Sequence, residues 1–335
     1  MSRDEILLSH GSGGKATHRL ITQTLLKRLA NPILNQLADS ALLPYEKKLG
    51  FTTDSFVVSP LRFPGGDIGK LSICGTVNDL VMIGAEPEYI SLALIIEEGL
   101  DYAALEDIAD SVAETARRAG VWVVTGDVKV VEKGAADKIF ITTCGIGRIV
   151  KNRPLSVKNI EPGDKVIISG TIAEHGLAIL AKRKDLDLGF NIKSDCAALN
   201  GMIIPVLKKT GYIKFMRDPT RGGLATTLNE IAASGGPGII IDEARIPLSP
   251  KVRAACELLG LDPLYLANEG KALLVVAENG AGKVLTLLRK HPLGRNAREI
   301  GTVVKKPSKQ VVLNTVVGTP RIIDMLVGES LPRIC

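Results

Sequence analysis

The sequence predicts a mixed α/β chain of two domains, on three observations. Its 335 residues, 45% hydrophobic but only 4% aromatic, are enough for two ordinary cores. Short apolar runs of strand length alternate with stretches of helical period. The alternation pauses at Lys151-Asn152-Arg153-Pro154 and restarts beyond Pro162-Gly163-Asp164. The expected domains are therefore 1–150 and 151–327, followed by a short tail at 328–335.

In the first half, His10-Gly11-Ser12-Gly13-Gly14-Lys15 precedes an amphipathic run that reads as a helix up to Asn31-Pro32. A glycine-rich turn before a helix presents backbone N–H groups, and with a lysine beside them it can hold phosphate oxygens. It lacks the spacing of a Walker A loop. Residues 51–58 read as a strand with Thr53 and Asp54 at its centre, residues 68–84 as a helix bearing Asn78-Asp79, and residues 89–96 as a buried strand. Residues 101–118 have an N-cap at Asp101, the stripe Leu105-Ile108-Val112-Ala116 and a terminal Gly120, and so form the clearest helix. A strand at 121–124 runs into Thr125-Gly126-Asp127-Val128-Lys129, and another spans 139–146. Asp54, Asp79 and Asp127 each sit at or near the end of an apolar element. Converging carboxylates of this kind suit magnesium, which shares oxygen ligands with water and phosphates; independent turn capping is the alternative.

The second half opens with a strand at 165–169 and the turn Gly170-Thr171-Ile172-Ala173-Glu174-His175-Gly176 into a helix. His175 there is a second-rank candidate for a general base. Arg217-Asp218-Pro219-Thr220-Arg221-Gly222-Gly223 stands before a helix at 224–233, so that donors and a helix N-terminus face one place, as phosphate or nucleotide binding requires. Strands at 238–241 and 272–277 flank a helix near 251–259, and Asn268-Glu269-Gly270-Lys271 puts polar residues at a strand entrance. A helix at 283–289 and strands at 299–304 and 310–313 lead to the tail. There, Gly328-Glu329-Ser330 forms a hinge before Pro332-Arg333-Ile334-Cys335. Fully extended, the tail could carry the Cys335 thiol roughly 23 Å into a cleft of its own subunit.

Composition narrows the partners. The longest apolar run, near 90–96, is far short of the about eighteen residues a membrane span needs, and residues 1–5 begin no signal sequence. The expectation is a soluble, cytoplasmic protein with no membrane partner. Five cysteines without a C-x-x-C pair argue against a disulfide framework or zinc site. Cys74, Cys144, Cys196 and Cys256 are expected as core or helix-face residues. The net charge of +6 suits an anionic partner. Nucleic acid is the poorer choice: Lys182-Arg183-Lys184 is interrupted by Asp185 and reads as a solvated helix face, and aromatic residues for base stacking are few.

Together, the Gly11–Gly14 loop, the Thr52-Thr53-Asp54 strand, Asn78-Asp79 with Gly84-Ala85-Glu86-Pro87, Thr125-Gly126-Asp127 and the 217–223 loop resemble the PurM-like superfamily, that of aminoimidazole ribonucleotide synthetase. The resemblance spans nearly the whole chain. Adding Val128-Lys129, Leu266-Ala267-Asn268-Glu269-Gly270 and the terminal Pro-Arg-Ile-Cys makes it similar to the HypE family of hydrogenase maturation proteins.

That resemblance implies an N-terminal domain whose sheet pairs with a second subunit in a homodimer, ATP near the interface, and a C-terminal domain covering the cleft. It implies that Cys335 receives a carbamoyl group from HypF, that ATP with Mg2+ drives its dehydration to a thiocyanate, and that the cyano group passes to iron on a HypC–HypD complex. Gly11, Ser12, Gly13, Gly14, Lys15, Thr53, Asn78, Asp218, Thr220, Arg221 and Gly222 would hold the nucleotide, and Asp54, Asp79 and Asp127 the metal. Lys129 and Glu269 would be the acid–base pair; the alternatives are a surface ion pair for Lys129 and a turn-capping carboxylate for Glu269. Other readings are a selenophosphate synthetase or thiamine monophosphate kinase of the same fold, and a non-catalytic ATP-dependent scaffold that presents its tail.

Overall fold

The structure, a computed structural model, describes residues 14, 15, 18, 22, 41–43, 48–150, 155–186, 189–328, 331 and 333–335. Gly11, Ser12, Gly13 and the helix expected after Lys15 lie outside them, apart from Gly14, Lys15 and two isolated positions.

Among the described residues, the first half is a five-stranded sheet with two helices on one face. Its strands are β1 (Ala41–Leu43), β2 (Leu49–Phe56), β5 (Ala85–Glu97), β6 (Trp122–Val131) and β7 (Ile139–Ile149), in the order β1-β2-β7-β5-β6. Only β5 and β6 run parallel, as the intervening helix α2 (Tyr102–Ala119) allows. A small ribbon, β3 (Arg62–Phe63) and β4 (Gly66–Asp67), leads into α1 (Ile68–Met82). The caps of α2 form as its sequence requires: Asp101 accepts from the Ala103 N–H, and Gly120 ends the helix in the left-handed region.

Helix α1 is different, because it is buried all round except at Lys70 and Asp79. Such a helix has no polar face to show a period. A side chain at Gly75 would come 2.9 Å from the Phe56 ring, so the missing Cβ lets α1 lie close against β2.

The second half is a seven-stranded sheet in the order β14-β13-β10-β12-β8-β11-β9. The strands are β8 (Lys165–Ile168), β9 (Ile213–Arg217), β10 (Gly238–Asp242), β11 (Leu273–Val276), β12 (Arg298–Val304), β13 (Val311–Asn314) and β14 (Pro320–Ile323). Its helices are α3 (Glu174–Arg183), α4 (Asn200–Lys209), α5 (Gly223–Gly235), α6 (Pro250–Leu259) and α7 (Ala281–Arg289). Alternate residues of the central strands feed two cores. Val166, Ile168, Leu273 and Val275 pack with α3, α5 and α6, whereas Ile167, Leu274 and Val276 pack with α4 and α7. The second core also contains Ile73, Val77 and Val81 of α1, so the two halves share hydrophobic interior.

Two expectations need adjustment. The strand expected at 121–124 continues to Val131, and it is almost wholly exposed. Arg183, read as part of a solvated helix face, is instead half-buried, with its guanidinium on the Ser59 and Arg333 carbonyls.

Candidate active site around Cys335

The tail residues fold back onto the extension of β2. The Val57 N–H donates to the Cys335 carbonyl oxygen at 3.0 Å and the Ser59 N–H to that of Arg333 at 3.2 Å, which makes a short antiparallel ladder. Arg333 donates from Nε to the Val57 carbonyl at 2.9 Å, pairs with Asp137 and lies over the Phe140 ring. Ile334 and Cys335 enter an apolar cluster with Phe56, Phe63, Ile68 and Cys74. Cys335 is only 9% exposed there.

Three separate segments converge on that thiol. Arg221, from the loop between β9 and α5, donates from Nε to Cys335 Sγ at 2.9 Å. Asp54 of β2 and Glu269, from the loop before β11, act electrostatically on both the thiol and the guanidinium, and Asp218 acts on Glu269. Burial pushes the Cys335 thiol up to about 12, with Glu269 and Asp54 adding to the shift and Arg221 opposing it, so in this docked position the sulfur is a neutral thiol at pH 7. Glu269 rises well above the usual carboxylate value, first through burial and then through Asp218, Asp195 and Asp54. Its Oε1 is buried without a hydrogen-bond partner in the structure. Burial likewise raises Asp54 against the opposing pull of the Ser55 N–H and Arg221. The arrangement is a desolvated pocket with one fixed cation, a thiol and two carboxyls whose pKa values burial raises.

Sequence reasoning missed the segment that organises this pocket, Ser194-Asp195-Cys196. Asp195 accepts from the Glu269 N–H (3.2 Å), the Gly270 N–H (3.1 Å) and Lys271 Nζ (2.9 Å). Burial works against its charge, but Lys271 and then His175 hold its pKa below the ordinary value. No side chain fits at Gly270, where a Cβ would stand 1.9 Å from the Asp195 carbonyl oxygen. These partners lie more than seventy residues away in sequence, and no local period marks them.

The remaining expected site residues are distributed as follows. Asp218, Thr220 and Gly222 lie in the Arg221 loop, and Gly222 adopts φ 74° as the N-cap of α5. Asn78 is spent on packing: its amide bonds the Ala197 and Glu269 carbonyls and the Leu199 N–H, clamping α1 to the second half. Gly14 and Lys15 rest against residues 324–328, with Lys15 paired to Asp324. Thr53 lies on the open face of the sheet, bonded to the Thr143 carbonyl.

Two expected groupings do not form within one chain. Cross-strand pairs carry Asp54 through Thr143 and Leu92 to Gly126, whereas Asp127 aligns with Ala93, Thr142 and Ser55. Asp54 and Asp127 therefore point to opposite faces, three strand spacings or about 14 Å apart. Asp79, bonded by Thr52, lies on the Asp54 side. Among the described residues no group of three acidic, histidine or cysteine side chains can hold a metal ion. The second grouping is Lys129 with Glu269. Lys129 is exposed on β6, paired with Asp127 at 2.6 Å, and therefore not desolvated.

Comparison with known proteins agrees with this architecture. Family models described as the N-terminal and C-terminal domains of AIR synthase related proteins match residues 37–149 and 161–314. The fold and cleft thus define an AIR synthase related, PurM-like protein. A carbamoyl dehydratase HypE from Cupriavidus necator is 48% identical over 98% of this chain and 94% of that protein. Among solved structures, a HypE–HypF complex matches with TM-score 0.88 and 47% identity, over 92% of this chain and 99% of the other. A HypE in complex with ATP matches with TM-score 0.84 and 46% identity, over 99% and 100%. The chain belongs to the HypE family of carbamoyl dehydratases.

Proposed function

We propose that this chain dehydrates a carbamoyl group carried on Cys335 to a thiocyanate at the expense of ATP, supplying cyanide ligands for the iron of nickel–iron hydrogenase. The observation that carries the reading is the docked thiol, held by Arg221 beside a buried carboxyl whose Oε1 lacks a partner. A carbamoyl group on that sulfur has an NH2 to give the carboxyl and an oxygen to direct toward phosphate.

The bonds balance simply. The thiocarbamate oxygen bonds to the γ-phosphorus of ATP as ADP leaves. Cleavage of the C–O bond then releases phosphate, and loss of both N–H protons leaves S–C≡N. ATP supplies the phosphoryl group that makes an amide oxygen a leaving group. Glu269 takes a proton from nitrogen once ionised, and its raised pKa makes it a stronger base than an exposed carboxylate. Arg221 fixes the sulfur and opposes the charge that develops beside it. Asp218, Thr220 and Gly222 stand just before α5, whose N-terminal end suits phosphate. Gly14 and Lys15, with Gly11, Ser12 and Gly13, remain the proposed second nucleotide contact.

Magnesium is the usual companion of ATP, but Asp54, Asp79 and Asp127 do not fit it in one chain, and the assignments above stand without it. A homodimer is supported by the exposed strand β6; Lys129, Asp127 and Thr53 would enter the reaction only in that assembly. HypF as carbamoyl donor is supported by the related HypE–HypF complex. The HypC–HypD complex as cyano acceptor and a cytoplasmic location follow from the same reading. Among the described residues no helix is long and apolar enough to cross a membrane.

The test is the intact mass of the protein after incubation with HypF, carbamoyl phosphate and MgATP. Gain of one carbamoyl group and then ATP-dependent loss of one water, both abolished by Cys335→Ala, is the expected result. No adduct on the wild-type chain with active HypF would refute the reading.

A further inference from the structure

His175 is fully buried, and the reaction above does not use it. Its Nε2 lies 2.8 Å from the Ile334 carbonyl oxygen and its Nδ1 2.8 Å from Ser194 Oγ, while the Phe63 ring meets it edge-on at 5.4 Å. A carbonyl oxygen only accepts, so Nε2 bears the hydrogen. Burial lowers the imidazole pKa against the pull of Asp195 and the Ile334 bond and keeps the ring neutral. Nδ1 is then an acceptor, and Ser194 must donate to it. Ser194 Oγ in turn accepts from the Cys196 N–H at 3.0 Å. The hydrogen bonds therefore run in one sense, from the Cys196 amide through Ser194 and His175 to the tail backbone.

We infer that His175, oriented by Ser194, is a positioning residue that sets the register of the tail by donating to the Ile334 carbonyl. The Ser194 segment makes this more than a packing contact. It is tied to the first half through the Ser194 N–H on the Pro64 carbonyl (2.7 Å), and one residue later Asp195 fastens the Glu269-Gly270 backbone. One three-residue segment thus holds the base on one side and, through His175, the thiol-bearing tail on the other, and it fixes the spacing between them. Both ring nitrogens of His175 are committed to Ser194 and the tail backbone, so the histidine is not the general base that its position suggested. The inference deepens the dehydration reading and rests on it only for the effect on rate.

The test separates the two. The rate at which iodoacetamide alkylates Cys335, read by peptide mass, needs neither ATP nor a carbamoyl group. His175→Leu should raise it by about tenfold, as expected for loss of one buried hydrogen bond. His175→Gln, which keeps an N–H donor, should stay within about twofold of wild type, and Ser194→Ala should fall between, because the tautomer is no longer fixed. Single-turnover dehydration at saturating ATP should slow in the same order, with the ATP concentration for half-saturation unchanged. Wild-type alkylation rates in both His175→Leu and Ser194→Ala would overturn the inference, as would a Gln variant as exposed as the Leu variant. Alkylation that shifts as expected while even the wild-type protein fails to dehydrate would support the latch and reject the dehydration reading.

Discussion

Glu269 shows how a single residue can be costly and useful at once. Its folded-state pKa is raised, so the native protein keeps a proton that the unfolded chain releases above the usual carboxylate value. The contribution to stability is therefore greatest below that ordinary value and declines as pH rises toward the folded pKa. Glu269→Gln should abolish dehydration in the single-turnover assay. It should also raise the melting temperature relative to wild type by more at pH 8 than at pH 5; an equal difference at both pH values would show that the carboxyl is not buried and protonated. Arg221 stood out in the sequence through its compact motif of unusual composition, whereas Cys335 and Glu269 were singled out through the family resemblance. Ser194 and Asp195 were not, since their partners His175, Glu269 and Lys271 are reached only through the tertiary fold. The metal trio shows a limit of local pattern: three carboxylates with similar settings gave no indication that, within one chain, Asp127 falls on the other face of the sheet from Asp54.

At the level of elements, legibility followed burial on one side. Helix α2 has one wet face and two intact caps, and its limits could be read almost to the residue. Helix α1 lacks a wet face, and its role as shared core for both halves appears only in three dimensions. Strand β6 is the reverse case. Trp122 is 73% exposed and Val130 66%, and an open depression of about 570 Å³ lies beside the strand, lined by Leu92, Leu94 and Val128 among others. An apolar edge strand left bare invites pairing with another chain. Val128→Lys should therefore break the proposed homodimer into monomers in sedimentation while leaving alkylation of Cys335 unchanged. A variant that remains fully dimeric would remove β6 from the interface.

Across the whole molecule, the tail is a tertiary element in its own right. It supplies acceptors for the Val57 and Ser59 amides and for Arg183, and it fills part of a core to which α1, α3 and the first sheet contribute. Removing residues 329–335 should speed hydrogen exchange at the Val57 and Ser59 amides by at least about tenfold, since each loses one bond. Exchange in α1 around Val77 should remain slow, because Asn78 and the shared core hold it independently. Acceleration throughout α1 would mean instead that the tail supports the global fold.

The bond from Arg333 to the Val57 carbonyl joins groups 276 residues apart. A ribosome adding about 5–20 residues per second makes the two partners at least about fourteen seconds apart. Within that interval the Asp54 strand can pair with its sheet neighbours, while its pocket gains Arg221 only part-way through and the thiol last. The first sheet can thus form well before its pocket is furnished, because Arg221 and Glu269 both follow β2 and β7 in the chain.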